Sequence, residues 1–143
     1  MNTILHISDV AASREKVFDA LTSTAGLAGW WTTDVAGDAG AGGVIDFTFF
    51  DTFNPDMEVV DIKPLKLVSW KCVGGHGNWA DNTFRFELED RDGATRLRFR
   101  QDYAIELSDD DYAIYNYNWG YYLESLRLYC ETGGGKPYRV AAT

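Results

Sequence analysis

The sequence predicts an α+β fold in which a curved antiparallel sheet of about six to seven strands wraps around a long C-terminal helix. Residues 110–131 repeat aromatic and apolar side chains at three- and four-residue steps, which is the period of one helix face. Between residues 44 and 101, apolar and polar side chains alternate instead, as in strands with one buried face. A sheet with one apolar face must bury that face against another element, and the aromatic helix is the element expected to do so.

Length and charge narrow the classes of protein. The 143 residues suit one domain, 1–143, because no repeat or long linker divides them. The net charge of −9 argues against nucleic acid and against an anionic membrane, since both are bound through clustered Lys and Arg. Neither a membrane span nor a secretory signal is visible, so we expect a cytoplasmic monomer or homodimer. Cys72 and Cys130 are then expected to be free buried thiols.

Two short helices are predicted after a first strand at residues 3–8. Ser13 is a plausible N-cap, and Glu15 lies in the first turn of the first helix, where a carboxylate favours the helix dipole. A Thr-Ser-Thr interruption separates this helix from a second one, which we expect to run from Thr24 to Trp31.

The middle of the chain predicts strands and turns. The glycine-rich stretch 37–43 is read as a connector, because it fits neither a phosphate-binding loop nor the dinucleotide-binding glycine pattern. In the hairpin around the Asp92-Gly93 turn, a four-residue loop would place Glu89 opposite Arg96 and Glu87 opposite Arg98. The predicted strands after the connector are 44–50, 57–63, 67–73, 83–89 and 95–101.

The last long helix is predicted from about Asp110 to Glu131. Ser108 and the acidic residues after it suit the start of a helix, and the glycines from Gly133 suit its end. Its apolar stripe comprises Tyr112, Tyr115, Trp119, Tyr122, Leu126, Tyr129 and Cys130.

Four segments of the sequence resemble the START-like, or SRPBCC, superfamily. They are SREKVFDALT at 13–22, GLAGWWT at 26–32, VVDIKPLKLVSW at 59–70 and the pattern NWGxxLxxL at 118–126. The branch they are most similar to is named for the activator of the heat-shock-protein-90 ATPase. The resemblance implies a helix-grip fold with a cavity between sheet and helix. Its relatives include lipid and hormone binders, aromatic cyclases, oxygenase domains and a co-chaperone domain, and fold alone does not choose among them.

The high content of aromatic residues, 15%, indicates a ring-built core, a ring-lined cavity, or both. In the pair Trp30-Trp31, one ring could stack on a ligand while the other anchors the helix, although both could simply pack. Trp79 lies beside a glycine-rich loop and is a candidate for the cavity rim. Gln101 shares a face with apolar residues and is a candidate polar group inside the cavity. The predicted ligand-binding residues are Trp30, Phe47, Phe49, Trp70, Trp79, Phe84, Phe86, Phe99, Gln101, Tyr115, Trp119 and Tyr122.

The sequence gives little support for catalysis, so whether the chain is an enzyme stays open, with a non-enzyme favoured. His76 lies among glycines, and a general base must be held in place. His6 is expected to be partly buried and hydrogen-bonded. Asp46 and Asp61 fall on outward faces of their strands. No nucleophile and base can be paired, the His and Cys spacings suit no metal site, and no cofactor is expected.

We therefore predict that the chain binds a small, mostly apolar ligand, aromatic or lipid-like, between sheet and helix. The alternative is a protein partner, with the chain acting as a co-chaperone-like activator of the heat-shock-protein-90 ATPase. An enzyme similar to the cyclases or hydrolases of the superfamily is the third hypothesis.

Overall fold

A computed structural model describes residues 3–49, 53–74 and 77–139 of the chain. Its helices are α1 (Arg14–Thr22), α2 (Thr24–Trp30) and α3 (Asp109–Thr132). The strands within the described residues are β1 (Thr3–Val10), β2 (Asp34–Gly37), β3 (Val44–Thr48), β4 (Asp56–Lys63), β5 (Leu67–Gly74), β6 (Thr83–Arg91) and β7 (Ala94–Asp102). They form one antiparallel sheet in the order β1-β7-β6-β5-β4-β3-β2. The predicted helix-grip architecture is confirmed.

The sheet buries its concave, ring-rich face against the helices. The register between β4 and β5 shifts between Asp56 and Met57 and again between Val59 and Asp61. Such bulges bend a strand and increase its twist, which helps the sheet curve around α3. On the helix, Trp119 packs against Phe99 of β7 with ring centroids 4.2 Å apart.

The β6–β7 hairpin has the predicted register, but the ion pairs on its solvent-exposed face differ from those expected. Glu89 lies opposite Arg96, and Glu87 lies opposite Arg98, as expected. Arg96 nevertheless turns to the neighbouring strand and donates two hydrogen bonds to Asp9, at 2.8 and 3.0 Å. Arg98 then approaches Glu89, 3.5 Å away. The backbone register does not fix which partner a long side chain takes. For Arg96, the two hydrogen bonds to Asp9 on the edge strand β1 replace the expected contact with Glu89.

The helix ends carry the caps that the sequence predicts. The Ser13 hydroxyl accepts a hydrogen bond from the backbone N–H of Lys16, and Ser108 does the same for Asp111. Gly133 ends α3 in the left-handed conformation, with φ of 81°, which glycine adopts without a Cβ penalty. The helix begins and ends within a residue of the predicted limits.

One strand and several boundaries differ from the sequence prediction. Strand β1 runs to Val10 and not to residue 8, β3 ends at Thr48 and not at residue 50, and β6 runs to Arg91 and not to residue 89. Strand β2 was not predicted, because its four residues are mostly exposed and only Val35 turns partly inward, opposite Phe47 of β3. Helix α2 ends at Trp30, one residue early, and Trp31 is its C-cap.

Cys72 and Cys130 are both buried and free, as expected. Burial raises the pKa of each thiol to about 11, because an anionic thiolate would lose its hydration. Among the described residues, no helix is both long and apolar enough to cross a membrane.

Candidate functional site

A cavity of about 270 Å³ lies where the end of α2, the loops beside the sheet and one side of α3 meet. Nearly all of its wall is aromatic. The described residues that line it are Trp31, Phe49, Phe53, Trp79, Tyr115, Asn118, Trp119, Tyr122 and Tyr138. We call this space the aromatic cavity.

Trp31 lies at the centre of the wall because α2 ends there. Its backbone N–H closes the helix by donating to the Leu27 carbonyl, and its own carbonyl accepts from the backbone N–H of Tyr138 at 2.8 Å. The indole is 2% exposed, and its centroid is 5.0 Å from Phe49 and 5.2 Å from Trp119. Two hydrogen bonds therefore fix the main chain at Trp31, and packing against Phe49 and Trp119 positions its ring.

Helix α3 contributes four residues to the cavity wall through its three- and four-residue spacing. Trp119 is the deepest of them, and a buried chain of amides fixes its ring. Its indole Nε1 donates to Gln101 Oε1 at 2.6 Å, and Gln101 Nε2 donates to Asn82 Oδ1 at 2.9 Å. All three side chains are at most 3% exposed. The orientation of Trp119 is therefore set from below the cavity.

The rim near Trp79 is held by a second set of polar contacts. Asn78 Nδ2 donates to the Tyr115 hydroxyl and to Asp111 Oδ2, each at 3.3 Å, so it joins the short helical turn Gly77–Trp79 to the start of α3. Trp79 itself packs edge-on against Phe53, with centroids 5.0 Å apart. Phe53 follows the segment 50–52, which lies outside the described residues.

The cavity is electrically neutral along its described wall. None of the nine lining residues is acidic or basic. Burial raises the pKa of Tyr122, since a phenolate would be poorly solvated there. Burial likewise raises the pKa of Tyr103, whose ring stacks against Tyr115 with centroids 5.9 Å apart. The polar groups of the described lining residues include the Asn118 amide, the tyrosine hydroxyls and the Trp79 indole Nε1, which is buried without a hydrogen-bond partner.

The structure brings five of the predicted site residues to the cavity and places seven elsewhere. Those at the cavity are Phe49, Trp79, Tyr115, Trp119 and Tyr122. Those buried outside the lining are Trp30, Phe47, Trp70, Phe84, Phe86, Phe99 and Gln101. The rings among these seven fill the core, as in the contact between Trp70 and Phe86 at 4.9 Å, and Gln101 serves Trp119.

Four lining residues were missed by sequence reasoning: Trp31, Phe53, Asn118 and Tyr138. The sequence analysis assigned one ring of the Trp30-Trp31 pair to the ligand and listed Trp30, but it is Trp31 that lines the cavity. Trp30 anchors α2 to α1 by donating its Nε1 hydrogen to the Ala20 carbonyl at 2.9 Å, and it is fully buried. Asn118 stood inside the quoted NWG pattern, where an exposed polar residue beside a buried ring marks an edge of the helix face.

The titratable candidates do not assemble into a catalytic group. His76 lies outside the described residues. Asp46 accepts a hydrogen bond from Asn54 at 2.9 Å, and Asp61 is exposed. His6 is partly buried as expected, but the expectation of a hydrogen-bonded ring is wrong for Nε2, which is buried and has no hydrogen-bond partner. Among the described residues, no three His, Cys, Asp or Glu side chains converge as a metal ion would require.

Comparison with known proteins identifies relatives along nearly the whole chain. The family model for the activator of Hsp90 ATPase homolog 1-like protein matches residues 11–131. The solution structure of the Aha1 dimer from Colwellia psychrerythraea is 36% identical, with a TM-score of 0.83, covering 94% of this chain and 100% of that one. No curated protein matches the sequence.

Two more distant structures share the fold alone. SSP2350 from Staphylococcus saprophyticus is 18% identical, with a TM-score of 0.76 over 94% of this chain and 96% of that one. CalU16 from Micromonospora echinospora is 17% identical, with a TM-score of 0.73 over 92% of this chain and 77% of that one.

Proposed function

The chain belongs to the family of activator of Hsp90 ATPase homolog 1-like proteins, and from that premise we propose that it binds a small, uncharged, mostly apolar ligand in the aromatic cavity. One observation carries the proposal: eight aromatic rings and one amide surround a space of about 270 Å³, and none of these lining residues is charged. Ligand sites are typically concave, mostly apolar and furnished with a few polar groups.

The size and chemistry of the cavity narrow the ligand class. Its volume lies just below the usual range of roughly 300–1,000 Å³, which suits one or two fused rings better than a long lipid chain. Offset and edge-on ring contacts favour a flat aromatic ligand. A carboxylate or phosphate would lose its hydration without meeting a cation on the described wall, so we expect anions to be rejected.

The test uses 2-naphthol as the probe and its anionic counterpart 2-naphthoate as the control. At roughly 0.4 kcal/mol for each of about 11 non-hydrogen atoms, 2-naphthol should bind with a Kd on the order of 1 mM or tighter. Binding is followed by quenching of tryptophan fluorescence and by NMR shifts. Native mass spectrometry of freshly purified protein would reveal a ligand that is retained from the cell.

A pair of tryptophan variants localises the binding. Asn118 lines the cavity but is exposed, so Asn118→Trp should fold and block the opening. Leu5→Trp adds an indole on β1, at a position 62% exposed and outside the cavity lining, and should leave the affinity unchanged. Equal 2-naphthol affinity in both variants, or no binding to the wild type, would contradict the proposal.

A co-chaperone role is the second candidate function, and the family match is what favours it. A chain of this kind would raise the ATPase rate of a heat-shock protein of the 90 kDa class. The rate is measured with and without the chain, together with retention of the chain on immobilised chaperone. An unchanged rate and no retention would end this candidate.

We also propose that the protein is a homodimer. The support is the 36% identical relative, which was solved as a dimer and which this chain matches over that protein's full length. Sedimentation velocity at increasing protein concentration tests this proposal, and a monomer throughout would reject it.

A further inference from the structure

The lining of the aromatic cavity changes in chemistry with depth. Its four most buried residues are between 2% and 5% exposed, and none of them has a side-chain oxygen; they are Trp31, Trp119, Trp79 and Phe49. Of the five lining residues that are more exposed, four carry a hydroxyl or an amide: Tyr115, Asn118, Tyr122 and Tyr138. We call the first four residues the cavity floor and the second four the cavity mouth.

The side chains of the cavity floor contain no hydrogen-bond acceptor, because an indole N–H can only donate and a phenyl ring has no polar atom. Two of the indole N–H groups are also turned to the protein. Trp119 Nε1 donates to Gln101, and Trp79 Nε1 is buried beside Tyr103. Burial raises the pKa of the Tyr103 hydroxyl, and the Trp79 indole is close enough to oppose that rise. A ligand hydroxyl placed against the floor would therefore find no side-chain acceptor, which is costly when the group is buried.

Two residues of the cavity mouth offer acceptors that the protein does not use. Asn118 and Tyr122 are four residues apart on α3, so their side chains lie on the same side of the helix, one turn apart. Among the described residues, neither the Asn118 amide nor the Tyr122 hydroxyl is hydrogen-bonded to the protein, whereas the Tyr115 hydroxyl accepts from Asn78.

The cavity mouth adjoins the floor closely enough for one small ligand to touch both. The Tyr122 ring packs edge-on against Phe49 of the floor, with centroids 6.2 Å apart. Asn118 immediately precedes Trp119 in the chain, and both line the cavity. Because burial raises the pKa of Tyr122, its hydroxyl stays protonated at neutral pH and can both donate and accept.

We propose that the ligand of the aromatic cavity is a neutral arene that carries a hydroxyl group, with its unsubstituted ring on the cavity floor and its hydroxyl held at the cavity mouth by Asn118 and Tyr122. The inference deepens the ligand site proposed above and rests on it. In this orientation the apolar part of the ligand meets only rings, and its O–H meets the side-chain oxygens that the floor lacks.

The orientation is read by NMR with isotope-labelled wild-type protein and unlabelled 2-naphthol. Nuclear Overhauser contacts should connect the Asn118 side-chain amide to the ring protons beside the hydroxyl. The indole protons of Trp31 and Trp119 should contact the protons of the other ring. Contacts in the reverse sense, with the hydroxyl-bearing ring against the two indoles, would overturn the proposal.

The roles of Asn118 and Tyr122 are measured with two probes, 2-naphthol and naphthalene, the latter kept below its solubility limit. Loss of one hydrogen-bond partner in Asn118→Leu or Tyr122→Phe should weaken 2-naphthol relative to naphthalene by about threefold to tenfold. Asn116→Leu makes the same chemical change about 200° around the helix and outside the lining, and should leave the ratio of the two Kd values unchanged. A variant that merely disturbs the wall weakens both probes alike, so an unchanged ratio in both mouth variants overturns the proposal.

The outcomes separate this inference from the ligand site itself. If neither probe binds the wild type, the ligand site is rejected and the inference with it. If both probes bind but the ratio or the orientation is not as expected, the cavity remains a ligand site and only the placing of a hydroxyl at the mouth is rejected. Circular dichroism checks that each variant folds, and Tyr122→Phe, which removes a single oxygen atom, decides alone if Asn118→Leu does not.

Discussion

Replacing Gln101 by leucine separates two roles that the sequence leaves open for this residue, a ligand contact and a structural support. Its amide accepts from Trp119 Nε1 at 2.6 Å and donates to Asn82 Oδ1 at 2.9 Å, and it is fully buried outside the cavity lining. If the role is structural, Gln101→Leu should lower the free energy of unfolding and weaken ligand affinity by less than tenfold, because Trp119 loses a hydrogen bond but keeps its packing against Phe99.

The magnitude follows from the two groups that lose their partner. Each buried donor or acceptor left unpaired costs about 1–3 kcal/mol, so the Trp119 indole N–H and the Asn82 carbonyl oxygen together cost about 2–6 kcal/mol. Leucine regains part of this by burying apolar surface, which sets the expected loss at about 2–4 kcal/mol. A domain with only 5–15 kcal/mol of stability would show such a change plainly.

Urea unfolding, followed by tryptophan fluorescence and by circular dichroism, measures the loss. The double variant Gln101→Leu, Trp119→Phe also removes the indole N–H that Gln101→Leu alone leaves without an acceptor. The double variant should therefore be at least about 1 kcal/mol more stable than the sum of the single losses predicts. A single-variant loss below about 1 kcal/mol, with a tenfold weaker 2-naphthol affinity, would refute the structural role and make Gln101 a ligand contact.

Three further predictions concern the frame around the cavity. Cys72 is buried with a pKa of about 11, so iodoacetamide at about pH 8 should leave it unmodified until urea unfolds the chain, as mass spectrometry would report. Burial and the adjacent Asp46 raise the pKa of Asp56 above 3.8, so its favourable contribution exists below that pH and is lost as pH rises through the folded pKa. Urea unfolding between about pH 4 and pH 7 should therefore show Asp56→Asn gaining stability over wild type as pH rises. A Cβ on Gly29 would overlap the Tyr129 ring, so Gly29→Ala should cost about 1–3 kcal/mol by the same assay.

Features set by short stretches of chain could be predicted from the sequence. The place of the Asp92-Gly93 turn is one, although Arg91 pairs with Ala94, so the loop has two residues and not the four assumed from the sequence. Both turn residues adopt positive φ, 55° and 89°, as such a turn requires. The ends of α3 are another, since Ser108 and Gly133 act on backbone groups within a few residues. The alternation of apolar and polar residues correctly predicted the buried face of the β6–β7 hairpin, because successive side chains of a strand point to opposite faces.

The depth of a side chain within that face could not be predicted. Alternation places Phe84, Phe86 and Phe99 on the inner surface, but it does not say whether a ring ends in the core or at a cavity. Here Trp119 of α3 packs directly against Phe99, so the space next to the Phe99 ring is filled. Whether these rings lie in the core or at the cavity depends on the position of α3, which is distant from the strands in sequence.

The same limit explains the exchange of roles between Trp30 and Trp31, and it bears on how the cavity is kept open. Successive residues at a helix end leave the backbone in different directions, and here Trp30 bonds to α1 while Trp31 contacts Trp119 of α3, although the two rings still stack with centroids 5.8 Å apart. The main chain at Trp31 is held by hydrogen bonds with Leu27 and Tyr138, its ring packs against Trp30 and Trp70, and Trp119 donates to Gln101. Rings held by contacts within the protein need no ligand to order them, so the ordering cost of binding is low. A wall that is organised before binding can select a ligand by shape, which is the property a neutral aromatic site needs in place of charge.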